Sequence, residues 1–210
     1  MSALTAREGR ATRPRRNASA TRRRILDAAR TEFAAHGYAG ARVDAIAQRA
    51  GSNKRMLYAY VGDKRELFAE TLRRKLRERA GLLDRAPDRL EDALPQWADA
   101  AAEDPTWVRL VTWEALEHGA APTAARAERR EEFKAVRRWL EGRGRLEPTV
   151  PADQALLAGI AIAVFPVAFP QVAELITGSD PEGEEFREAH RAFLRDLGAR
   201  LAGRDEEAAR

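Results

Sequence analysis

The sequence predicts an all-α fold of about nine helices, and three observations support this prediction. Almost every segment has apolar residues spaced three or four apart, which is typical of amphipathic helices. No segment alternates apolar and polar residues as a half-buried strand would. Gly, Pro, Asp and Asn stand where helices would start or stop. A chain of 210 residues can bury the core of one large domain or two small ones.

Composition divides the chain into four segments. Residues 1–19 are polar and basic, which predicts a flexible arm that either enters a DNA minor groove or only keeps the protein soluble. Residues 20–66 have the pattern of three short helices, residues 67–203 that of a larger helical bundle, and residues 204–210 form a polar tail. The arginines of the arm are Arg7, Arg10, Arg13, Arg15 and Arg16.

The first helix is expected from about Thr21. Ile25, Ala29 and Phe33 lie four residues apart and so share one apolar face. Gly37 stands at the expected stop, because glycine readily adopts the conformation that ends a helix.

The second and third helices are short. The second is expected over about Val43–Ala50, and Gly51 breaks it. Asn53 is a good N-cap for the third, Lys54–Val61, because its side-chain oxygen can accept a hydrogen bond from a free backbone N–H. Short helices joined by a glycine turn at this place predict a helix-turn-helix.

Capping residues and prolines mark the later helices. Asp63 and Glu66 have the spacing of a capping box at the fourth helix, and Asp88 and Glu91 repeat it at the fifth. The sixth to ninth helices are expected to begin near Asp104, Pro122, Ala152 and Asp180. The eighth, Ala152–Thr177, is apolar nearly all round, so it requires a partner helix.

Charge is distributed unequally along the chain. Residues 1–80 carry 20 basic and 8 acidic side chains, whereas residues 81–210 carry 17 and 25. A basic part of this kind favours contact with a polyanion. Nucleic acid is favoured over a membrane surface, because no basic segment also has a broad apolar stripe.

Several function classes lack their sequence signatures. The chain has no Cys, which excludes disulfides and thiolate metal sites. His36, His118 and His190 have no metal-ligand spacing, and no phosphate-binding loop, dinucleotide motif or nucleophile elbow is present. We therefore expect no enzyme activity, no metal and no cofactor. The start lacks a signal-peptide pattern and the apolar run 155–170 is too short for a membrane span, which predicts a cytoplasmic protein.

The stretch "ILDAARTEFAAHGYAGARVDAIAQRAGSNKRMLYAYVGDKRELF", residues 25–68, resembles the N-terminal domain of the tetracycline-repressor (TetR) family of bacterial transcriptional regulators. The matching positions are Phe33, Gly37-Tyr38, Ile46-Ala47, Ala50-Gly51, Leu57-Tyr58, Tyr60-Val61, Lys64 and Leu67. The resemblance covers about a fifth of the chain. A weaker one concerns "VFPVAFPQ" and "REAHRAFLRDL", which look like the last two helices of many members, where two chains pair.

The resemblance implies that the third helix binds in the major groove of DNA. Lys54 and Arg55 oppose the helix dipole, so contacts with phosphates or a guanine explain them better than a solvated helix start does. Met56 fits a thymine methyl group and the core equally, while Tyr58 and Tyr60 fit DNA contact better than the core. The expected DNA-binding residues are Arg42, Asn53, Lys54, Arg55, Met56, Tyr58, Tyr60 and Lys64.

Arg42 departs from the family pattern. Members usually have Thr or Ser at this place, where it caps the second helix and contacts a phosphate. An arginine side chain can bind the phosphate but cannot cap the helix. Lys64 adds its charge to the free amides at the start of the fourth helix, which predicts a second phosphate contact.

The resemblance also implies a small-molecule pocket and a homodimer. For any single candidate, ordinary core packing of tryptophans at helical spacing, or a simple i,i+4 pair of Glu114 and His118, explains the residue better than a pocket does. The candidate pocket residues are Trp97, Trp107, Leu110, Trp113, Glu114, His118, Trp139, Phe165 and Phe169. The candidate dimer residues are Ala163, Val167, Phe186, His190, Phe193 and Leu197.

The expected function is a regulator, and more specifically a repressor that an unknown small molecule releases from a palindromic DNA operator. A helical carrier or enzyme is the alternative, but it leaves the basic first part unexplained. A nonspecific nucleic-acid binder explains the charge but not the apolar eighth helix.

Overall fold

The computed structural model describes residues 12–79, 87–118, 125–142 and 146–203. Within these ranges the chain forms ten α-helices and no strand, which confirms the all-α prediction. The helices are α1 (Thr12–Gly40), α2 (Val43–Arg49), α3 (Lys54–Val61), α4 (Lys64–Arg79), α5 (Leu90–Glu103), α6 (Pro105–His118), α7 (Arg126–Glu141), α8 (Ala152–Ala168), α9 (Pro170–Thr177) and α10 (Glu184–Leu201).

The chain divides into two compact units. The first contains the residues up to Lys75 together with those from Trp113 to Ala124. The second contains Leu76–Thr112 and the residues from Ala125 onward. The boundary expected at residue 66 therefore lies inside α4, and the end of α6 belongs to the first unit.

The first helix is longer than expected. It begins at Thr12 rather than about Thr21, so the backbone of Arg13, Arg15 and Arg16 is helical, whereas Arg7 and Arg10 lie outside the described residues. Gly37 interrupts the helix at the expected stop, with non-helical φ 68° and ψ −175°, and a short helical segment continues beyond this kink to Gly40. A Cβ atom on Gly37 would lie 2.7 Å from the ring of Trp113, so this position requires glycine.

The helix predicted over 152–177 is two helices, which is why the count is ten. Phe169 separates α8 from α9 with φ −133° and ψ 59°, and the two axes differ by 97°. Pro170 favours the break, because proline has no N–H to donate and disfavours helical geometry in the residue before it. Among the described helices, none alone has the length and apolar composition to cross a membrane. Only α8 and α9 taken together, across this bend, have that length and composition.

The core of the first unit is aromatic at its centre. Phe33 of α1 and Phe68 of α4 meet edge to face with ring centroids 4.9 Å apart, and Tyr38 lies 5.6 Å from Phe68. Such edge-to-face pairs add to the free energy gained by burying the rings. The apolar residues buried around them include Ile25, Ala29, Ile46, Leu57 and Leu67.

The core of the second unit lies where α5 packs against α10 and α8. A Cβ atom on Gly198 of α10 would lie 2.5 Å from the Cα of Glu91, so α5 and α10 approach closely there. The buried residues of this core are Leu90, Leu94, Ala98, Val136, Leu140, Leu156, Ala163 and Leu194. The capping box predicted at α5 is wrong: the N-cap is Arg89 rather than Asp88, and the side chain of Arg89 makes no capping hydrogen bond.

Candidate nucleic-acid interface

The turn between α2 and α3 is tight and held by backbone hydrogen bonds. Gly51 has φ 61°, a left-handed conformation that glycine adopts without steric cost. Its N–H donates to the carbonyl of Gln48 at 3.0 Å, and the N–H of Ser52 donates to that of Ala47 at 2.9 Å. These bonds end α2 and fix the direction in which α3 begins.

Asn53 caps α3 as predicted. Its backbone is extended, and its Oδ1 accepts a hydrogen bond of 2.8 Å from the N–H of Met56. This bond satisfies one of the amides that a helix start leaves free, so it stabilises a helix of only eight residues.

The two faces of α3 differ in chemistry. Leu57 and Val61 are buried, with 0% and 8% of their surface exposed. Lys54, Arg55, Met56 and Tyr58 are exposed, and Tyr60 is half-buried. Met56 is 42% exposed, so it is not a core residue. The outer face of α3 is thus basic and aromatic, as a surface that contacts phosphates and base edges would be.

Lys54 has an acidic partner that sequence reasoning missed. Its Nζ lies 3.4 Å from Oδ1 of Asp44 on α2, and both side chains are exposed. An exposed pair contributes little to stability, so its main effect is to hold the lysine and place a negative charge beside α3. The two residues are ten apart in sequence, and no helical spacing connects them.

Lys64, the first residue of α4, contacts the end of α1. Its Nζ donates to the carbonyl of Ala39 at 3.2 Å and lies 5.0 Å from the ring centroid of Tyr38. The capping box at this helix start is confirmed: the N–H of Glu66 donates to Asp63 Oδ1 at 2.8 Å, and the N–H of Asp63 to Glu66 Oε2 at 3.1 Å. Lys64 therefore anchors α4 to the end of α1 as well as carrying charge.

Arg42 precedes α2 without capping it, as predicted from its side chain. Its backbone N–H donates instead to Oε1 of Glu32 at 3.1 Å. Glu32 is buried, with 4% of its surface exposed, and was not identified from the sequence. The side chain of Arg42 is exposed and so available to a phosphate.

Two ion pairs join α1 to α4 within the first unit. Arg74 Nη2 lies 2.8 Å from Asp27 Oδ1, and Arg22 Nη2 lies 3.2 Å from Glu70 Oε1. Arg74 also donates to the carbonyl of Arg23 at 3.2 Å. These contacts fix α4 beside the helix on which α2 and α3 pack. They could not be predicted, because the partners are far apart along the chain.

The candidate pocket residues of the second unit are partly core and partly surface. Trp97 and Trp139 pack together on the core with ring centroids 6.2 Å apart. Leu110 is fully buried, and the guanidinium of Arg129 lies 5.9 Å from the ring of Trp107. Phe165 and Phe169 are exposed, with centroids 5.3 Å apart.

Two other pocket candidates belong to the first unit. Trp113 packs on Gly37, and Glu114 is buried with 2% of its surface exposed. The side chain of His118 lies outside the described residues. The eight candidates whose side chains the structure describes are therefore distributed over three places: the interior of the second unit, its surface and the first unit.

Two of the six candidate dimer residues are buried within the single chain. Ala163 and Phe186 are 3% and 9% exposed, so they are buried in their own chain and offer no surface to a second one. Leu197 is partly buried against the core of the second unit, and Val167 lines a small cavity with His190. Phe193, the remaining candidate dimer residue, is exposed, with 56% of its surface accessible.

The fold and the exposed basic helix define a helix-turn-helix DNA-binding protein with a separate helical unit. The family model of the tetR family of bacterial regulatory proteins matches residues 25–71, and that of the tetracyclin repressor-like C-terminal domain matches residues 94–200. The chain belongs to this family, and it is a DNA-binding transcriptional regulator.

Named relatives agree with this assignment. The HTH-type transcriptional repressor SCO4008 of Streptomyces coelicolor is 38% identical over 174 residues, which cover 81% of this chain and 90% of the relative. The crystal structure of the transcriptional regulator SCO4942 from Streptomyces coelicolor is 31% identical, with a TM-score of 0.67 over 86% of this chain and 97% of that one. AibR, in complex with isovaleryl coenzyme A and operator DNA, shares the fold at 17% identity, with a TM-score of 0.62 over 84% of this chain and 97% of AibR.

Proposed function

We propose that the protein is a homodimeric repressor that binds a palindromic operator and is released from it by a small molecule. The exposure pattern of α3 carries the DNA-binding part of this proposal. Leu57 and Val61 fix the helix to its unit, while Lys54, Arg55 and Tyr58 face outward. Helices of this kind place their N-terminal residues at base edges in the major groove.

Phosphate contacts would come from residues around α3. Arg42 lies before α2 and Lys64 at the start of α4, and half-buried Tyr60 lies near the end of α3. The cations of Arg42 and Lys64 can bind backbone phosphates through their charge. Such contacts fix the position of the protein on the duplex, while Arg55 and Met56 would contact the bases.

The dimer proposal rests on exposed apolar surface in the second unit. Leu157, Ala161 and Phe165 lie four residues apart along α8 and are exposed, with Leu157 at 64% and Phe165 at 40%. On α10, Ala189 and Phe193 are exposed at the same spacing. We call these five residues the apolar stripe. Exposed apolar surface of this kind favours packing against a second copy, which closes in a two-fold dimer.

Ligand release is supported by the family and by apolar hollows of the second unit. SCO4008 is a repressor, and AibR shows that this fold can hold a coenzyme A thioester and operator DNA in one complex. A ligand that binds one of two conformations more tightly shifts the population toward that conformation. When this conformation is the one that does not bind DNA, DNA binding weakens by an amount set by the ligand's difference in affinity for the two conformations. We place this activity in the cytoplasm, where the DNA is, and assign no enzymatic reaction to the chain.

The first test is binding to the DNA directly upstream of the gene that encodes the protein. The protein is titrated against this fragment with an excess of nonspecific competitor and at several salt concentrations. Binding that survives competitor, with a palindrome in the protected region, supports the specific regulator. Binding that competitor abolishes at every salt concentration contradicts sequence-specific recognition of this fragment.

A further inference from the structure

Glu32 of α1 is an acidic side chain buried in the first unit, with 4% of its surface exposed. Its Oε1 accepts a hydrogen bond of 3.1 Å from the backbone N–H of Arg42, ten residues further along the chain. Burying a carboxylate costs free energy unless hydrogen bonds replace the water that it loses. The bond to Arg42 is such a replacement, and it connects a core helix to the link between α1 and α2.

This link consists of two residues, Ala41 and Arg42. Ala41 is buried, and its N–H donates to the carbonyl of Gly37 at 3.2 Å. The carbonyl of Arg42 accepts a hydrogen bond of 3.1 Å from the N–H of Ile46, as the carbonyl of an N-cap residue does. With the bond from Glu32, the backbone of Arg42 is therefore fixed at its N–H and at its carbonyl, while its side chain is exposed.

The start of α2 has no cap of its own to fix this residue. Arg42 is the N-cap, and its side chain makes no capping hydrogen bond. The start of α3 differs, because Asn53 caps it from within the same segment. A helix start without a side-chain cap is less stable, so the orientation of Arg42 depends more on contacts from other elements. Glu32 supplies such a contact from α1.

Apolar packing holds the rest of α2 independently of Glu32. Ile46 and Ala47 are buried, with 0% and 4% of their surface exposed. Loss of the bond from Glu32 would therefore free the backbone of Arg42 without detaching the helix. An arginine that contacts a phosphate loses conformational freedom, and a backbone that is already fixed lowers this entropic cost.

We propose that Glu32 is a positioning residue for DNA binding, which holds the backbone of Arg42 so that its guanidinium contacts a DNA phosphate. The proposal rests on the phosphate contact assigned to Arg42 under the proposed function, and Glu32 acts through that residue alone. The effect of Glu32 is opposite in sign to that of its charge. Removing a negative charge near DNA would by itself strengthen binding, whereas loss of positioning weakens it.

The test measures the affinity of the full-length protein for the upstream fragment and for a scrambled duplex, by fluorescence anisotropy over a range of salt. Glu32→Met replaces the carboxylate with an apolar side chain of similar length. It should weaken binding to both duplexes about tenfold and reduce the salt slope by about 1 for each bound chain, because one phosphate contact per chain is lost.

Two further variants serve as controls. Glu32→Gln should keep the affinity and the salt slope, because its amide oxygen still accepts from the N–H of Arg42. Thr71→Val removes a buried hydroxyl that donates to the carbonyl of Leu67 at 2.8 Å within α4. This matched change to a buried polar side chain of the same unit should alter neither value.

A double-mutant cycle with Arg42→Ala separates positioning from a general structural role. In the Arg42→Ala background, Glu32→Met should cause no further loss, because the side chain through which it acts is missing. Equal losses from Glu32→Met in both backgrounds overturn the proposal, and so does a gain in affinity or a loss in Glu32→Gln. An unchanged salt slope in Arg42→Ala also overturns it. Glu32→Asp, whose carboxylate is one methylene group shorter, gives the same decisions if Glu32→Met does not fold.

The two duplexes distinguish this inference from the proposed function. Phosphate contacts do not depend on sequence, so the scrambled duplex tests Glu32 even if the upstream fragment is not the operator. Equal affinity of the unmodified protein for both duplexes contradicts specific regulation through this fragment alone. Unchanged binding in a folded Glu32→Met variant removes this inference alone, and absence of binding to either duplex overturns both.

Discussion

Lys54, the first residue of α3, forms an ion pair with Asp44 of α2, with Nζ and Oδ1 3.4 Å apart. The pair is exposed and lies beside the surface proposed to contact DNA. A phosphate would compete with Asp44 for the same ammonium group. The Asp44 carboxylate therefore weakens nonspecific binding to DNA in two ways. Its negative charge repels the phosphates, and its ion pair keeps Lys54 from contacting them.

Asp44→Asn should increase affinity for every DNA sequence. Removing the carboxylate frees Lys54 and removes a repulsive charge, and the pair is worth up to about 1 kcal/mol, so the gain should reach about fivefold. The measurement is fluorescence anisotropy on operator and scrambled duplexes over a range of salt. Asp92→Asn, an exposed acid of α5 in the second unit, is the control and should leave both affinities unchanged. Unchanged nonspecific affinity in Asp44→Asn would contradict the role of the pair.

Arg55 and Lys64 should differ in what they contribute to DNA binding. Arg55→Ala should relax preference at one operator position, at a cost of about 1–3 kcal/mol for the preferred base. Lys64→Ala should weaken binding to all sequences and reduce the salt slope by about 1, because its charge contacts a phosphate. Competition with operators mutated one position at a time measures both effects. Equal losses on every sequence for both variants would remove Arg55 from the base-contacting residues.

Alanine substitutions at Gly37 and Gly51 should lower the stability of the protein by different amounts. Gly37→Ala should lower the free energy of unfolding by about 2–4 kcal/mol, because its backbone lies in a region open almost only to glycine and the new methyl group meets Trp113. Gly51→Ala should cost about 1 kcal/mol, because it also has positive φ but no atom within 4 Å of the new methyl group. Urea denaturation measures both. Equal losses would contradict both the contact of Gly37 with Trp113 and the greater backbone strain at Gly37.

The apolar stripe and the core should respond differently to charge. Phe193→Glu and Leu157→Glu should give folded monomers, because both side chains are exposed in the single chain. Ala163→Glu should instead unfold the second unit, because that position is buried in its own core. Light scattering gives the mass and circular dichroism the helix content. A monomeric unmodified protein would defeat the dimer proposal directly.

His190 should make stability depend on pH. Burial lowers its pKa below the value of 6.5 in the unfolded chain, so the unfolded state binds more protons in the window below pH 6.5. The stability that the neutral ring contributes is present above pH 6.5 and is lost as pH falls through that window. Thermal denaturation between pH 5 and pH 8 on the unmodified protein and on His190→Phe measures the effect. The expected result is a smaller loss at low pH in the variant, and identical pH profiles would contradict it.

Local sequence signals predicted the DNA-binding unit well, for a physical reason. The cap at Asn53 and the box formed by Asp63 and Glu66 each connect residues three apart, so the sequence contains the whole interaction. The contacts of Glu32 with Arg42 and of Trp113 with Gly37 connect distant segments. Nothing at either end of such a contact indicates its partner.

The eighth and ninth predicted helices show a second limit of prediction from the sequence. Pro170 carried a usable signal for the break after α8, but the continuous apolar composition favoured one helix. Ala163 and Phe193 both fit an apolar helical face, and one is buried in its own chain while the other is exposed. Helical spacing identifies an apolar face without identifying what covers it, so it could not separate the core from the proposed dimer surface.

Hydroxyl-radical footprinting of the upstream DNA fragment tests the central claim most directly. A two-fold dimer that places two copies of α3 in successive major grooves should protect two patches with centres about 10–10.5 base pairs apart, related by the palindrome. Arg55→Ala should weaken protection of both patches equally. One unpaired patch, or no protection at concentrations where the protein is a dimer, would contradict a dimeric regulator that binds through α3.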